Sequence, residues 1–389
     1  MKKYLLIGFL ILLIIGGYFY SRPVPAVLPV NQIPIVPRTE PGVLKWPEFG
    51  QAALGADDYG LLAAQGSNKP VPIGSITKII TALAVLKQKP LSPGEQGPTI
   101  TLNSADVELF NYYYLNNGSV TKVAAGQQIT QLHALQALLI PSSNNMADSL
   151  AKWAFGSMEA YLKYANDMVK QMGLANTTVG DTNGFSDTTI STAADVVKLG
   201  IAAIDNPIIA QIVRQPTAQI PVSGIINNTN FMLGKNGVVG IKTGNTEKAG
   251  GCYLFASERS LSGKKITLVG AFLNAPSLVD AINATGPLAD SADTNFQQVT
   301  VLKKGQVMGT YDSPWGESVK YSVSKDISLF AWKGAEIKVI NNASSIPPPA
   351  DTGTNVGTVT VESGSQRSAA HLKLENELPS PSWHWRLLH

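Results

Sequence analysis

Hydrophobic residues are concentrated at the start of the chain, in an uninterrupted apolar segment that follows two lysines. Lys2 and Lys3 precede residues 4–20, where every position is aliphatic, aromatic or glycine. This length is close to the minimum for a transmembrane helix, and the positive flank predicts that this end stays in the cytoplasm. A cleaved signal peptide begins in the same way, but no small-residue cleavage site follows. We therefore predict a retained membrane anchor over residues 1–21, and both alternatives place the rest of the chain outside the cytoplasm.

Proline is frequent in residues 22–42, which predicts an extended linker. Helical and strand-like patterns then follow one another over residues 43–285, a segment long enough for one large domain. Apolar positions with helical spacing predict helices over 79–86, 127–140, 146–154 and most of 156–205. Runs rich in β-branched residues predict antiparallel strands over 237–246, 250–256 and 264–273. The pattern is typical of an α+β domain.

Short strand-like runs separated by turns fill residues 286–363 and predict a small all-β domain. Residues 364–389 are polar at first and end in a segment that contains Trp383 and Trp385. Such aromatic residues favour membrane interfaces, so a weak contact of this tail with a membrane surface is one hypothesis, and a disordered tail is the other.

The composition excludes several kinds of site. The 389 residues include 30 basic and 27 acidic side chains, for a net charge of +3 and without a basic stripe, so we expect no nucleic-acid partner. The single cysteine, Cys252, excludes an intramolecular disulfide and a cysteine-rich metal site. We expect it to be a small buried apolar side chain. No metal site and no cofactor are indicated.

A serine and a lysine, Ser75 and Lys78, begin the apolar helical run 79–86. Residues three apart share a helix face, and Pro72 and Gly74 interrupt the chain just before them. Free N–H groups at a helix N-terminus stabilise negative charge, and a desolvated lysine can take a proton from a hydroxyl. The spacing alone is also compatible with a capped helix, because it recurs at Ser119/Lys122, Ser149/Lys152, Ser262/Lys265 and Ser322/Lys325.

Two further polar motifs interrupt apolar segments. Ser142 and Asn144 follow Pro141 in the loop between two predicted helices, where they either face a cleft or form a simple turn with Asn145 as the N-cap. Lys242-Thr243-Gly244 lies within a predicted strand. Average composition predicts only about 0.1 copies of Lys-Thr-Gly in a chain of this length.

Together, the three motifs resemble those of the active-site-serine, penicillin-binding peptidases, and most closely those of the low-molecular-mass D-alanyl-D-alanine carboxypeptidases. The similarity covers roughly residues 43–285 and extends beyond the bare motifs in segments 72–78, 139–145, 240–244 and 191–195. It implies a serine β-lactamase/D,D-peptidase-like α+β fold, with an antiparallel sheet and a helical region, plus a small C-terminal all-β domain. It also implies an extracytoplasmic enzyme that removes the terminal D-alanine from peptidoglycan stem peptides and is inhibited covalently by β-lactams.

The resemblance assigns catalytic roles to four residues. Ser75 is the acylated nucleophile, and Lys78 is the base that activates it. Ser142 relays protons, and Asn144 binds the substrate amide and orients Lys78.

The resemblance also assigns the substrate-binding residues. Lys242 adds positive charge that keeps Lys78 neutral, and Thr243 contacts the substrate carboxylate. The strand that contains Gly244 pairs with the extended peptide, and the backbone N–H groups of Ser75 and Asn245 form the oxyanion hole.

Two departures from the family pattern bear on specificity. Asn245 stands where members commonly have histidine or an aromatic residue, which leaves a backbone role intact. Many members hold the terminal carboxylate with an arginine after the following strands, but residues 272–280 contain none, and the only arginines between 39 and 366 are Arg214 and Arg259. A D,D-endopeptidase or a β-lactamase-like hydrolase of the same fold therefore remains an alternative, followed by a non-catalytic wall-binding module.

Other hydrolase classes lack the residues that they need. A Ser-His-Asp enzyme requires a histidine, and up to residue 370 the chain has only His133, on an apolar helix. A class A β-lactamase requires a glutamate in the loop after the second motif, where this chain has Asp181-Thr182-Asn183-Gly184.

Overall fold

The computed structural model describes residues 2–36 and 40–389, and their contacts divide into two compact units. The first, Gly42–Asn295, is called here the sheet-and-helix unit. The second, called the β unit, combines Met1–Pro41 with Phe296–His389. Met1 and residues 37–39, which belong to the predicted anchor and linker, lie outside the described residues.

The α-helices of the described residues are α1 (Lys2–Ser21), α2 (Thr77–Gln88), α3 (Ser104–Leu115), α4 (Gln131–Leu139), α5 (Asn144–Phe155), α6 (Met158–Gln171), α7 (Ala193–Asp205), α8 (Pro207–Val213), α9 (Leu278–Asn283), α10 (Thr285–Asp293) and α11 (Trp383–Leu388). Among the described residues, no single helix is long and apolar enough to cross a bilayer. The bent pair α7 and α8 meets this length and composition criterion only when its two helices are taken together.

The strands of the sheet-and-helix unit are β2 (Gln51–Ala56), β3 (Gly60–Gln65), β4 (Val71–Pro72), β5 (Thr99–Thr101), β6 (Gln128–Thr130), β7 (Ile190–Ser191), β8 (Thr217–Ile220), β9 (Gly224–Asn227), β10 (Val238–Thr246), β11 (Gly250–Leu261) and β12 (Lys264–Ala275). Those of the β unit are β1 (Pro29–Asn31), β13 (Phe296–Leu302), β14 (Val307–Asp312), β15 (Ser318–Val323), β16 (Ile327–Trp332), β17 (Lys338–Ala343), β18 (Asn355–Ser363) and β19 (Gln366–Leu374).

A five-stranded antiparallel sheet, in the order β10-β11-β12-β2-β3, organises the sheet-and-helix unit. Leu254 and Val269 point to the face that α7 covers, because a Cβ on Gly200 of α7 would lie 2.7 Å from each of their side chains. Side chains alternate along a strand, so Phe255 and Phe272 lie on the opposite face, where their rings stack at 5.7 Å. The sheet is therefore packed on both faces and leaves β10 at one edge.

Helix α2 lies at the centre of the helical region, in contact with α4, α5, α6 and α7. Most of its residues are buried, including Lys78. A helix that is apolar on all sides belongs inside a core, which is why the run 79–86 predicts it well. Lys78 is the one ionisable side chain among the buried residues of α2.

The β unit contains a six-stranded antiparallel sheet in the order β1-β14-β15-β19-β18-β17 and a separate pair, β13 with β16. Its core includes Tyr311, Tyr321 and Leu372.

Two boundaries of the β unit differ from those expected. β1 lies in the predicted linker and pairs with β14, so this stretch is not a free spacer. β19 lies in the predicted tail but is paired with both β15 and β18, because Ala370, Leu372 and Leu374 alternate inward.

The α+β class is confirmed, and smaller differences have local causes. The predicted helix 127–140 begins at Gln131, because residues 128–130 pair with β5 and the Thr130 hydroxyl accepts a hydrogen bond from the N–H of His133. Thr192 is the N-cap of α7, and its hydroxyl accepts a hydrogen bond from the N–H of Asp195 at 3.3 Å. Residues 286–295, expected in the β domain, belong to the sheet-and-helix unit. Cys252 is fully buried, as expected.

Candidate active site

Ser75 lies in a single 3-10 turn, Gly74–Ile76, which leads directly into α2. Gly74 adopts a φ of 52°, a backbone conformation that glycine accepts without strain. Its carbonyl accepts a hydrogen bond from Thr77 Oγ1 at 2.8 Å, which fixes the turn. The Ser75 side chain remains partly exposed, so its hydroxyl is accessible at the positive end of a buried helix.

Lys78 is completely buried, and its Nζ lies against three oxygen atoms. It is 2.9 Å from Ser75 Oγ, 2.7 Å from Asn144 Oδ1 and 2.9 Å from the Asn183 carbonyl oxygen. Two of these oxygens can only accept hydrogen bonds, whereas the serine hydroxyl can also donate. A neutral amine, with two N–H groups and one lone pair, satisfies all three positions when Ser75 donates to it.

Burial lowers the pKa of Lys78 well below its ordinary value, and the nearby charge of Lys242 lowers it further. Both effects disfavour the ammonium form. The lowered pKa thus favours a neutral amine, and the hydrogen-bond geometry allows that amine to accept from the Ser75 hydroxyl.

The second motif forms the turn between α4 and α5. Ser142 has a positive φ of 65°, and α5 begins at Asn144, so Asn145 is not its N-cap. Instead, the Asn145 side chain bonds to Thr121, accepting from its N–H at 3.1 Å and donating to its carbonyl at 2.9 Å. These bonds fix the turn so that the Asn144 side chain reaches Lys78. Ser142 Oγ is buried, and within the described residues it makes no hydrogen bond, so the structure does not link it to Lys78.

The third motif lies on β10, whose edge approaches the serine turn. A Cβ on Gly244 would lie 3.1 Å from the backbone nitrogen of Ser75, so a larger residue here would require the strand or the serine turn to shift by a few tenths of an ångström. A Cβ on Gly74 would lie 3.5 Å from the backbone nitrogen of Asn245, which places the N–H-bearing atoms of Ser75 and Asn245 in the same small region. The Asn245 side chain itself is exposed.

Lys242 and Thr243 are buried on β10. Lys242 Nζ donates to the Thr243 carbonyl at 3.1 Å, and burial lowers the pKa of Lys242 to about 7. The hydroxyls of Thr243 and Thr229 lie 2.9 Å apart. The site therefore contains two buried lysines, one in contact with the serine and one on the adjoining strand edge.

A buried network behind Lys78 was not predicted from the sequence. The Asn183 side-chain amide donates to Tyr113 Oη at 2.8 Å, and Tyr113 Oη donates to Asp148 Oδ2 at 2.8 Å. The Thr182 hydroxyl donates to Asp148 Oδ1. Burial raises the pKa of Asp148. One signal was present in the sequence: Asp148 is four residues after Asn144, on the same face of a buried helix.

The loop Asp181–Phe185 is held tightly against the serine turn. Gly184 has a φ of 75°, and a Cβ there would lie 1.8 Å from the Gly74 carbonyl oxygen. Both oxygens of Asp181 accept hydrogen bonds from this loop and from the residues that follow it. Oδ1 accepts from the Gly184 N–H at 3.0 Å and from Thr189 Oγ1 at 2.6 Å, and Oδ2 accepts from Ser186. Asp181 thus stabilises the loop that presents the Asn183 carbonyl to Lys78.

Comparison with known proteins identifies this constellation. The family model described as D-alanyl-D-alanine carboxypeptidase matches residues 56–277, which include Ser75, Lys78, Asn144 and Lys242. The chain belongs to the D-alanyl-D-alanine carboxypeptidase family.

The names of similar proteins in this family include two activities, endopeptidase and carboxypeptidase. The chain is 27% identical to a D-alanyl-D-alanine endopeptidase of Pseudomonas aeruginosa, over 54% of this chain and 67% of that protein. It is 23% identical to the D-alanyl-D-alanine carboxypeptidase DacA of Escherichia coli K12, over 84% of this chain and 83% of that protein. Among solved structures, penicillin-binding protein 5 of Haemophilus influenzae shares the fold with a TM-score of 0.60 at 20% identity, over 89% of this chain and 100% of that one.

Asp148→Asn should slow acylation by a fluorescent penicillin about tenfold, the effect of losing one hydrogen bond to a charged group. An amide offers one acceptor oxygen in place of two, so either Thr182 or Tyr113 loses its partner and the Asn183 carbonyl is less well fixed. The measurement is the second-order labelling rate. The matched control is Asp167→Asn, whose carboxylate is exposed on α6. Equal labelling rates for both variants and the wild type would contradict the prediction.

Proposed function

We propose that this protein is a serine-type D-alanyl-D-alanine carboxypeptidase that removes the terminal D-alanine from peptidoglycan stem peptides through an acyl-enzyme on Ser75. The observation that carries the proposal is the position of Ser75 Oγ, 2.9 Å from a fully buried lysine nitrogen whose other two contacts are acceptors. This is the arrangement of an activated nucleophile and its base, held together before substrate arrives.

In the acylation step, Lys78 accepts the hydroxyl proton while Ser75 Oγ attacks the carbonyl carbon of the penultimate D-alanine. The resulting oxyanion would bind to the N–H groups of Ser75 and Asn245. Lys78 then returns the proton to the nitrogen of the leaving D-alanine, and the C–N bond breaks. A water molecule hydrolyses the ester by the same proton transfers and regenerates Ser75.

Different observations support the catalytic roles proposed for Asn144 and for Ser142. Asn144 Oδ1 accepts from Lys78 at 2.7 Å, which leaves its side-chain NH₂ to donate to the substrate's amide carbonyl. Ser142 is assigned as the proton relay to the leaving nitrogen. This role is supported by the burial of the Ser142 hydroxyl, which has no hydrogen-bond partner in the described residues. A buried hydroxyl without a partner costs free energy unless a bound ligand supplies the missing hydrogen bond.

Binding of the peptide would use the free edge of β10. Among the described strands, β10 pairs only with β11, so its outer N–H and C=O groups are available to an added extended strand. Lys242, Thr243 and Gly244 lie along this edge, with Thr243 oriented by its hydroxyl contact to Thr229. The Lys242 charge would attract the substrate carboxylate.

Endopeptidase activity is a second candidate function. The family includes proteins named as endopeptidases, and both arginines of the sheet-and-helix unit already pair with acidic side chains of the protein. β-lactamase activity is less well supported, because the Asp181 oxygens are already engaged within their own loop.

We also propose that the chain is extracytoplasmic and is held at the membrane by α1. The apolar side chains of α1 that the structure describes are largely exposed, for example Tyr4, Phe9 and Ile14. Next to its end, Arg386 of α11 donates to the Tyr20 carbonyl at 3.0 Å. Exposed apolar side chains of this density on one helix are stabilised by a lipid environment.

Ser75→Ala should abolish labelling by a fluorescent penicillin, and Lys242→Ala should slow it about a hundredfold, because lysine acts through one electrostatic contact. Peptide mapping of the labelled wild type should place the label on Ser75 at one equivalent, with slow release. The chain supplies a matched control in Ser262→Ala, which has the same spacing to a lysine but is exposed in a turn. Wild-type labelling of Ser75→Ala, or multiple penicillin turnovers per second, would refute this assignment.

The acylation rate should be bell-shaped with pH. Lys78 acts as a base only when neutral, so the rate rises with pH through its lowered pKa. Lys242 contributes only when charged, so the rate falls as pH rises past its pKa of about 7. Lys242→Arg retains the charge at high pH and should remove the alkaline limb. Rate profiles of both proteins between pH 5 and 10 test this assignment, and an unchanged alkaline limb in the variant would exclude Lys242 as its cause.

Protein extracted from membranes should retain its N-terminus, and deletion of residues 1–21 should release it into the soluble fraction. N-terminal sequencing and fractionation measure the two effects. A mature N-terminus near residues 23–27 would show cleavage instead. A tail contribution is tested by deleting only residues 382–389, because a longer deletion removes β19; equal release with and without these residues excludes a membrane role for α11.

A further inference from the structure

The carboxylate end of the substrate site has no free arginine. Arg214 pairs with Glu258 at 2.6 Å, and Arg259 is held by Asp290 at 2.8 Å and by Asp293. These are the only arginines in Gly42–Asn295. Arg259 uses its Nε and one terminal nitrogen on both oxygens of Asp293, so its fork is occupied. Arg214 contacts Glu258 through one nitrogen, and Glu258 lies five residues along β11 from Tyr253, the residue in register with Thr243, so the Arg214 head group is held away from this site. Recognition of the peptide terminus must therefore come from other groups.

Thr229 supplies a hydroxyl at the required place. Its Oγ1 lies 2.9 Å from Oγ1 of Thr243, which is buried on the substrate-binding edge of β10 next to Lys242. The Thr229 residue itself is exposed. The two hydroxyls thus form a pair. Thr229 is accessible to solvent, and Thr243 is buried beside Lys242.

The backbone around Thr229 is held from both sides. The Thr229 N–H donates to the Ile140 carbonyl at 3.1 Å, at the end of the helix that precedes the Ser142 turn. The neighbouring Asn230 is buried, and its Oδ1 accepts from Tyr253 Oη at 2.9 Å. Tyr253 is the β11 residue in register with Thr243. The hydroxyl pair is therefore fixed by both the second motif and the sheet before any ligand binds.

We propose that Thr229, together with Thr243, binds the C-terminal carboxylate of the substrate and determines how strongly the enzyme prefers a free chain terminus. This inference rests on the proposed carboxypeptidase function. In the free protein one hydroxyl donates to the other. When the carboxylate binds, each hydroxyl donates to a carboxylate oxygen, so one neutral hydrogen bond is exchanged for two charge-assisted ones.

A threonine pair discriminates less strongly than an arginine between a free C-terminal carboxylate and a C-terminal amide. Hydroxyls can also donate to the carbonyl oxygen of a C-terminal amide, whereas a guanidinium fork matches a carboxylate in both charge and geometry. A threonine pair therefore favours the free terminus moderately and tolerates a peptide that continues past the cleaved bond. This behaviour lies between that of a strict carboxypeptidase and that of an endopeptidase.

The test compares two peptides, Nα,Nε-diacetyl-L-lysyl-D-alanyl-D-alanine and its C-terminal amide, on the wild type and three variants. Thr229→Val removes the hydroxyl at constant shape and should lower kcat/KM for the free acid about tenfold, the effect of one hydrogen bond to a charged partner. The amide loses only a neutral hydrogen bond in Thr229→Val and should change by about threefold or less. Thr229→Ser keeps the hydroxyl, so both peptides should change by about twofold or less with this variant. Thr217→Val, the same change at an exposed position on the adjoining hairpin, should match the wild type.

The ratio of the two kcat/KM values is the decisive measurement, because a merely structural defect would lower both equally. A Thr229→Val protein with an unchanged ratio overturns the inference while leaving the proposed function intact. A wild-type protein that cleaves neither peptide and is not labelled by penicillin overturns the proposed function, and the inference with it. A ratio that falls in Thr229→Val and recovers in Thr229→Ser supports it.

Discussion

The site depends on one constraint, the burial of an amine without access to water. A buried polar group must have its hydrogen bonds satisfied by the protein, and an amine next to a hydroxyl has a choice of protonation states. Here the protein places two acceptors and one hydroxyl around Lys78 Nζ, at 2.7–2.9 Å. The hydroxyl can donate or accept, so this arrangement satisfies the neutral amine as well as the ammonium form. Burial and the charge of Lys242 then favour the neutral form, in which Ser75 donates to the lysine.

Satisfying this amine brings together segments that are far apart in the chain. The hydroxyl comes from the turn before α2, the amide oxygen from the first residue of α5, and the carbonyl from the loop Asp181–Phe185. Each segment has its own support: Asn145 fixes the turn before α5, and Asp148 receives hydrogen bonds from Thr182 and Tyr113 next to the loop. Half-satisfied buried networks are destabilising, so each support also contributes to the stability of the unit.

The sequence predicted those parts of the fold and site that depend on local patterns. The apolar α2, the strands around β10 and the three motifs all have side chains whose type and spacing indicate their role. The Asn183 contact to Lys78 could not be predicted, because it uses a backbone carbonyl, which every residue has. The Thr229–Thr243 contact joins a hairpin end to a strand and has no spacing rule. β19 was missed because its outward residues are polar, although its inward positions alternate regularly.

The two buried lysines connect substrate binding with activation of the nucleophile. Both have lowered pKa values, and the charge of Lys242 is one reason why Lys78 is neutral. A bound carboxylate beside Thr243 would favour the charged form of Lys242, because an opposite charge raises the pKa of an ammonium group. A charged Lys242 in turn lowers the pKa of Lys78. The anionic end of the substrate thus stabilises the charge distribution in which Ser75 is activated, and a ligand without that end does so less. Charge coupling through Lys242 therefore adds to the preference for a free terminus that the hydroxyl pair provides by direct contact.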